Sequence, residues 1–435
     1  MMKLILKSKE VFGLLKKYKK RIILGLGVFV IIFMTAFTYI NLTNPTEINK
    51  YIASVVSTGS PANNYFEDEV FYNAVIDAYN KENNTTLPYT TNLTDEQLSS
   101  ITSLQYLGQN KSDEEKITST RGLEKLTSLT FLNLRYNNIA SIDVSENLSL
   151  ETLFMDDNNI STLDVSNNLE LRSLALGNNN ISTINLESNT ELESIDLRNN
   201  QLGDIDITNN TKLYNLHLSG NDLNNININN NSDLKSIDLS SCNLTNIDIS
   251  HNLELQEIYL GDNLIEEIDL SQHKKIKSFY MPKNKLSTID LSNCSALSFV
   301  QIDNNNISNI DLNNSINLKY LYLYNNNLTE IDLSDNSALQ LLALDSNKLT
   351  TIDLSNNGNI TDLSLSDNNL SNIKLYENFD VVKAKNIIMK QKSPLQIINF
   401  GSNRIIQPSS NLEFWLNDKI IIYNEFSISD FEFMW

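Results

Sequence analysis

A set of aromatic side chains recurs between residues 259 and 341 at intervals of 21 residues or of two. Tyrosine joins an apolar ring to a hydrogen-bonding hydroxyl group, so it suits both protein interfaces and the stacking of sugars. Exposed aromatic residues at this density usually mark a recognition surface. We therefore predict a ligand-binding patch composed of Tyr259, Tyr280, Phe299, Tyr320, Tyr322, Tyr324 and Leu341.

Carboxylates recur at the same interval of 21 residues and raise the question of bound cations. Each can cap the turn that follows it by accepting a backbone hydrogen bond, or the row can form divalent-cation sites. The turns lack the glycines typical of stacked calcium sites, which favours capping, and we predict neither a metal ion nor a cofactor. The nine aspartates are Asp143, Asp164, Asp206, Asp248, Asp269, Asp290, Asp311, Asp332 and Asp353.

The residues that usually carry catalysis are few and scattered. The three histidines are His217, His251 and His273, and the two cysteines, Cys242 and Cys294, fall at different places in the repeat. We find no aligned thiol and base, no phosphate-binding glycine loop and no zinc-protease motif. The sequence therefore predicts a protein that is not an enzyme, with two unpaired thiols, of which Cys242 should be buried.

A repeat of 21 residues positions these side chains. It reads L-x-x-L-x-L-x-x-N-x-L-x-x-I-D-L and continues with Ser- and Asn-rich residues. This is the leucine-rich-repeat signature, which predicts a mostly β solenoid of twelve regular coils that share one core. The copies begin at Leu129, Leu150, Leu171, Leu192, Leu213, Leu234, Leu255, Ile276, Leu297, Leu318, Leu339 and Ile360.

Positions within each copy have distinct predicted roles. Alternation around positions 4 and 6 predicts one strand per coil, and positions 14–16 predict a second extended segment. The Asn at position 9, replaced by Cys242 in the sixth copy, should form a buried ladder of side-chain amides. Positions 3, 5 and 7 should point outward on the concave face, where the aromatic residues either bind a ligand or only stiffen the sheet.

The N-terminal segment predicts attachment to a membrane. Residues 16–21 form a basic cluster at the end of the segment 1–21, and residues 22–40 carry no charge. Nineteen helical residues span roughly 28 Å, the thickness of a bilayer core. We expect an uncleaved transmembrane helix with an extracellular C-terminal part, or a secreted protein if the segment is a cleaved signal peptide. Residues 41–63 form a linker.

Two further segments flank the array, which we place at residues 129–380. Residues 64–128 predict a helical cap and a first irregular repeat, with a capping box at Thr94 to Gln97. The first helix of this cap should have one apolar face, composed of Phe66, Val70, Phe71, Ala74, Val75 and Ala78. The pattern decays after Leu375, and the apolar runs within residues 381–435 predict a C-terminal β-type cap that covers the exposed edge.

The charge of the chain is strongly acidic. The net charge is −20, and eight of the 33 basic residues but one of the 53 acidic residues lie in residues 1–41. The remainder therefore holds 25 bases against 52 acids, a charge near −27. Such a surface repels phosphate backbones, which excludes nucleic acid as a partner and leaves cationic or neutral ones.

The helical cap leads into Ile101-Thr102-Ser103-Leu104 and then into Gly122-Leu123-Glu124-Lys125-Leu126-Thr127-Ser128-Leu129, followed by Leu-x-x-Ile-Asp-Leu-Ser-x-Asn units. Over residues 64–375 this order resembles the internalin family of bacterial surface proteins, in its subgroup with 21-residue repeats. The resemblance implies an extracellular adhesion module whose concave face binds a protein or glycan ligand. The alternative hypothesis is a structural or self-associating envelope protein without a foreign ligand.

Overall fold

A computed structural model describes residues 65–376 and the backbone of three later strands, Asn386–Ile388, Ile397–Asn399 and Ile405–Ile406. The predicted membrane helix at residues 22–40 and most of the predicted C-terminal cap lie outside the described residues. Within the described part, none of the helices has the length and apolar character needed to cross a membrane.

Two helices form the N-terminal cap, α1 (Glu69–Asn83) and α2 (Asp95–Ser99), and two 3₁₀ segments follow at Asp113–Glu115 and Leu123–Lys125. The predicted capping box is confirmed at α2, where the Thr94 and Gln97 side chains each accept a hydrogen bond from the other's backbone N–H. These bonds satisfy N–H groups that the first turn of a helix leaves free.

The start of α1 joins the cap to the first coil. Asp68 caps the helix by accepting a hydrogen bond from the Phe71 backbone N–H (3.0 Å), and its other carboxylate oxygen accepts one from the Thr118 backbone N–H (2.7 Å). On α1, Phe71 and Val75 are buried as predicted, whereas Val70 is half-buried and Phe66, which is also buried, precedes the helix. One carboxylate thus fixes both the helix and the segment that enters the array.

A parallel sheet of fourteen three-residue strands runs along the array, with every strand in register with its neighbour. Numbered along the chain, its strands are β1 (Ser103–Gln105), β2 (Phe131–Asn133), β3 (Thr152–Phe154), β4 (Ser173–Ala175), β5 (Ser194–Asp196), β6 (Asn215–His217), β7 (Ser236–Asp238), β8 (Glu257–Tyr259), β9 (Ser278–Tyr280), β11 (Phe299–Gln301), β13 (Tyr320–Tyr322), β14 (Leu341–Ala343), β16 (Asp362–Ser364) and β18 (Asn386–Ile388).

The second extended segment becomes regular strand only in some coils. The pair β10 (Thr288–Asp290) and β12 (Asn309–Asp311) is parallel, as is the pair β15 (Thr351–Leu354) and β17 (Asn372–Leu375). Strands β19 (Ile397–Asn399) and β20 (Ile405–Ile406) extend the latter pair, and β20 runs antiparallel to β19. The prediction for positions 14–16 is therefore confirmed in four of the twelve copies.

The array continues past the point where its sequence pattern decays. Strand β18 pairs with β16, and Ile387 occupies the place opposite Leu363. These two residues are 24 positions apart instead of 21, so this last pairing follows three more residues than the regular repeat contains.

Asn side chains at position 9 form the predicted buried ladder. In a typical coil, the Asn179 side-chain NH₂ group donates to the carbonyls of Met155 and Leu176 (both 3.0 Å), and its oxygen accepts from the Ile160 backbone N–H (2.9 Å). A buried polar backbone group without a partner costs about 1–3 kcal/mol. The ladder therefore stabilises the turn in each coil and connects it to the coil before.

Cys242 interrupts this ladder in the sixth copy. Its thiol donates to the Leu218 carbonyl at 3.3 Å and the Ser240 carbonyl at 3.5 Å. The backbone differs here from that of the other coils. Ser241 and Asn243 both have positive φ (54° and 56°), whereas among positions 8–10 of the other copies only position 8 does. A thiol is a weak donor and acceptor, so the interrupted turn is held less firmly.

A second ladder, which sequence reasoning missed, lies at position 19. The Asn189 side-chain NH₂ group donates to the carbonyls of Val165 and Asn168 (both 2.9 Å), and the other ladder asparagines repeat these bonds. The buried asparagines are Asn147, Asn168, Asn189, Asn210, Asn231, Asn252, Asn336 and Asn357. In the three copies between Asn252 and Asn336, the position is held by His273, Cys294 and Ser315.

Replacing Cys242 with Asn should complete the first ladder. The substitution supplies two amide donors and a carbonyl acceptor, and we expect it to raise the free energy of unfolding by about 1 kcal/mol. Denaturant unfolding followed by circular dichroism measures the change. The reciprocal change, Asn221→Cys, should lower stability by a similar amount. A Cys242→Asn protein less stable than the parent would contradict this account of the ladder.

His273 should make stability depend on pH. Its Nε2 lies 3.1 Å from the Ile249 carbonyl, its Nδ1 has no hydrogen-bond partner among the described residues, and burial lowers its pKa. Between the ordinary histidine pKa of about 6.5 and the lowered value, the unfolded chain binds more protons, so stability falls as pH falls. The variant His273→Asn should lose this part of the dependence in melting curves from pH 7.5 to pH 5, and the exposed His251→Asn control should keep it. Equal slopes for all three proteins would contradict the assignment.

Candidate functional site

The aromatic patch (Tyr259, Tyr280, Phe299, Tyr320, Tyr322, Tyr324 and Leu341) lies on the open face of the long sheet. In each of its strands the middle residue is fully buried, while its two neighbours are half-buried or exposed, except for the small Ala343 beside Leu341, which is buried. Tyr320 has 37% of its surface exposed. These side chains therefore lie outside the core, as the alternation predicts, and the core does not dictate their identity.

Direct ring contacts connect the patch in two groups. The ring centroids of Tyr259 and Tyr280 are 6.0 Å apart, and the Phe299 ring lies 5.7 Å from Tyr322 and 6.3 Å from Tyr320. Leu341 follows Tyr320 in register on the next strand. Tilted rings at these distances attract each other by about 0.5–1.5 kcal/mol beyond their buried area, so the patch is pre-ordered.

A buried carboxylate lies between the two groups. Asp303 is 2% exposed and accepts hydrogen bonds from the side-chain amides of Gln301 (2.9 Å) and Asn304 (2.5 Å). Burial, together with a hydrogen bond from its hydroxyl to Asp303, raises the pKa of Tyr324 to about 12. The Tyr324 phenol therefore stays neutral at physiological pH.

Carboxylates also border the half-buried rings of the patch, a feature that sequence reasoning missed. Asp238 is the register partner of Tyr259, and Glu257 lies two residues before Tyr259 on the same face of β8. Burial raises the pKa of Tyr259, with further contributions from the charges of Glu257 and Asp238. The signal was present in the sequence, because Asp238 is position 5 of the sixth copy and Glu257 is position 3 of the seventh, both outward positions.

A smaller aromatic cluster lies at the N-terminal end of the same sheet. The Phe131 and Phe154 rings meet edge to face with centroids 5.9 Å apart. The Arg135 guanidinium group lies 4.1 Å above the Phe154 ring and forms an ion pair with the buried Asp156 carboxylate. This cluster provides its own cation, so its aromatic surface is already covered in part.

The row of aspartates at position 15 caps the turns, as the favoured prediction stated. In all nine copies one carboxylate oxygen accepts a hydrogen bond from the backbone N–H two residues later, at 2.9 Å or 3.0 Å. This backbone bond is the main cause of the lowered pKa of Asp143 and of Asp164. Across the described residues, no three His, Cys, Asp or Glu side chains are grouped so that they could hold a metal ion.

Most of the histidines and cysteines lie in different rows of the array, but His273 and Cys294 hold the same repeat position in successive coils, so the prediction of no aligned thiol and base is wrong at this one place. His217 lies on β6, His251 and His273 lie in the turns of two successive coils, and both cysteines are buried and unpaired. Burial raises the pKa of the Cys242 thiol to about 11 and that of Cys294 to about 12. Since the thiolate is the nucleophile, neither thiol is activated for catalysis at neutral pH.

Gly261 leaves the space in which the Tyr280 ring lies. A Cβ atom added at Gly261 would come within 2.9 Å of Tyr280 Cε1 and 3.2 Å of Pro282 Cδ. We therefore expect Gly261→Ala to shift the Tyr280 ring and weaken its contact with Tyr259, while the melting temperature changes little. Nuclear Overhauser contacts between the two rings measure this shift, and Gly203→Ala, where an added Cβ meets nothing within 4 Å, is the control. Unchanged ring contacts would contradict the predicted packing.

Comparison with known proteins supports the leucine-rich-repeat assignment through structure. No protein-family model and no curated protein matches the chain. Among solved structures, it is similar to the functional domain of InlJ from Listeria monocytogenes, which includes a cysteine ladder (25% identity, TM-score 0.65, covering 77% of each chain). It is also similar to the internalin InlF from Listeria monocytogenes (28% identity, TM-score 0.63, covering 73% of this chain and 91% of that one).

A more distant match shows the fold alone. The plant peptide hormone receptor RGFR1, solved in complex with RGF2, is 23% identical with a TM-score of 0.53, covering 62% of this chain and 49% of that one. The internalin matches agree with the regular solenoid of 21-residue coils described above. The chain is an internalin-like leucine-rich-repeat protein.

Proposed function

We propose that this chain is a bacterial cell-surface recognition module that binds a protein partner through the aromatic patch. The observation that carries the proposal is the patch itself, in which seven large side chains lie on the open sheet face at positions that the core leaves free. Pre-ordered tyrosines are typical of binding hot spots, because little conformational freedom is lost when a partner covers them.

Leucine-rich-repeat neighbours support a protein-interaction module in general. The internalins are similar along most of this chain, and the plant receptor with the same fold was solved with a peptide hormone bound. We therefore favour a protein partner over a glycan, although tyrosine rings also stack on sugars. Nothing in these neighbours points to catalysis.

The surface location belongs to the same proposal. The uncharged run at residues 22–40, preceded by a basic cluster, would hold the repeat array outside the cell as a single-pass membrane protein. If that run is a cleaved signal peptide, the array is secreted. Either route presents the aromatic patch to extracellular proteins, as adhesion requires.

The direct test is loss of binding when the rings are removed. We expect Tyr259→Ala/Tyr280→Ala/Tyr322→Ala to weaken binding to cell-surface proteins by about 100-fold or more, because hot-spot aromatic residues each contribute about 2 kcal/mol. Full-length protein in a mild detergent is screened against extracellular proteins and a glycan array, after equal melting curves have been confirmed. The control variant removes exposed tyrosines outside the patch, Tyr89, Tyr214 and Tyr376.

The outcomes separate the hypotheses. Binding lost only in the patch variant supports recognition through the patch, and the array identifies any glycan ligand. Binding that survives the patch variant contradicts the proposal. Concentration-dependent self-association that the patch variant abolishes, with no foreign ligand bound, would instead support the envelope-protein hypothesis.

A further inference from the structure

The open sheet face is acidic as well as aromatic in its C-terminal two thirds. From the fifth copy to the twelfth, positions 3, 5 and 7 contain five carboxylates and no lysine or arginine. These acids are Asp238, Glu257, Asp303, Asp345 and Asp362. Aromatic residues and carboxylates on one face together favour a cation, because the ring face and the carboxylate both attract positive charge.

Asp238 and Glu257 are placed to act with the rings. Asp238, Tyr259 and Tyr280 follow one another in register across β7, β8 and β9, where neighbouring strands lie about 4.8 Å apart. Asp238 accepts a hydrogen bond from the Ser240 backbone N–H (3.1 Å), and Glu257 accepts a long one from Ser236 Oγ (3.5 Å). Within residues 65–376 neither carboxylate forms an ion pair with a lysine or an arginine.

The aromatic cluster at the N-terminal end of the sheet shows which side chain binds between a ring and a carboxylate. There Arg135 lies over the Phe154 ring and pairs with Asp156, so one guanidinium group satisfies both an aromatic face and a carboxylate. The same two kinds of group meet at Tyr259 and Asp238, although in different repeat positions. The corresponding outward positions of these coils provide no cation.

We propose that the protein partner inserts an arginine side chain over the Tyr259 ring, where Asp238 and Glu257 bind its guanidinium group. This inference rests on the proposed function and adds the chemistry of the partner to it. Arginine fits better than lysine, because its planar group can stack on a ring while its N–H groups donate to carboxylates at the edge. The pair of rings, Tyr259 and Tyr280, then recognises the apolar stem of the same side chain.

The test uses a defined probe and the full chain in a mild detergent. A blocked Gly-Arg-Gly-Arg-Gly peptide is titrated at about 0.15 M salt, where nonspecific attraction is screened beyond about 8 Å. A peptide with citrulline in place of arginine has nearly the same shape without the charge. Chemical shifts of ¹³C-labelled tyrosine rings report both affinity and the site of contact.

Two variants with the same change in net charge distinguish binding at this site from attraction by the overall negative charge of the protein. We expect Asp238→Asn/Glu257→Gln to weaken arginine-peptide binding about tenfold, as loss of two partly exposed ion pairs should. Glu146→Gln/Glu170→Gln removes two exposed acids from other faces and should leave the affinity unchanged. The citrulline peptide should bind as weakly to the parent protein as the arginine peptide binds to the first variant.

Three results would overturn the inference. These are equal weakening by both variants, equal binding of the citrulline peptide, and no saturable binding of the arginine peptide up to about 1 mM. A natural partner that requires Tyr259 and Tyr280 but is insensitive to Asp238→Asn/Glu257→Gln would overturn it while leaving the proposed function intact.

Discussion

Buried side-chain amides satisfy the backbone groups that the regular strands leave without partners. Each coil has three residues of strand on its long sheet, so most of its carbonyls and N–H groups must find partners elsewhere. The asparagines at positions 9 and 19 bond to backbone carbonyls of their own and preceding coils, as Asn179 and Asn189 illustrate. Without them each turn would bury several unpaired groups, which is costly in a solenoid where each coil contacts only its neighbours.

This constraint determines where function can reside. Because the ladders and the apolar positions fix the coil length at 21 residues, equivalent residues of successive copies lie in straight rows on the sheet. The outward rows take no part in the ladders, so their residues can vary without loss of the fold. Aromatic and acidic side chains have accumulated in those rows between the sixth and twelfth copies, and the aromatic patch is the result.

Much of the fold could be predicted from the sequence, because the repeat encodes it twelve times. The strand positions, the first ladder, the capping aspartates and the outward direction of the aromatic patch all follow from periodicity. The second ladder was missed because its asparagines lie among other polar residues of the turn, and nothing local distinguishes the buried Asn189 from its exposed neighbours. The hydrogen bond between Tyr324 and Asp303 was also beyond prediction, since it depends on side-chain conformation and burial rather than on spacing.

The central claim is that a partner binds on the aromatic patch, and site-specific photo-cross-linking tests it most directly. Benzoylphenylalanine replaces Tyr320 in one variant and Tyr89, on the helical cap, in another; both tyrosines are solvent-exposed. Each variant is then incubated with intact cells or tissue extracts that contain the partner and is irradiated. Our account predicts a cross-linked protein at Tyr320 that is absent at Tyr89. Cross-linking to the same partner at Tyr89 alone would show that the sheet face is not the binding surface.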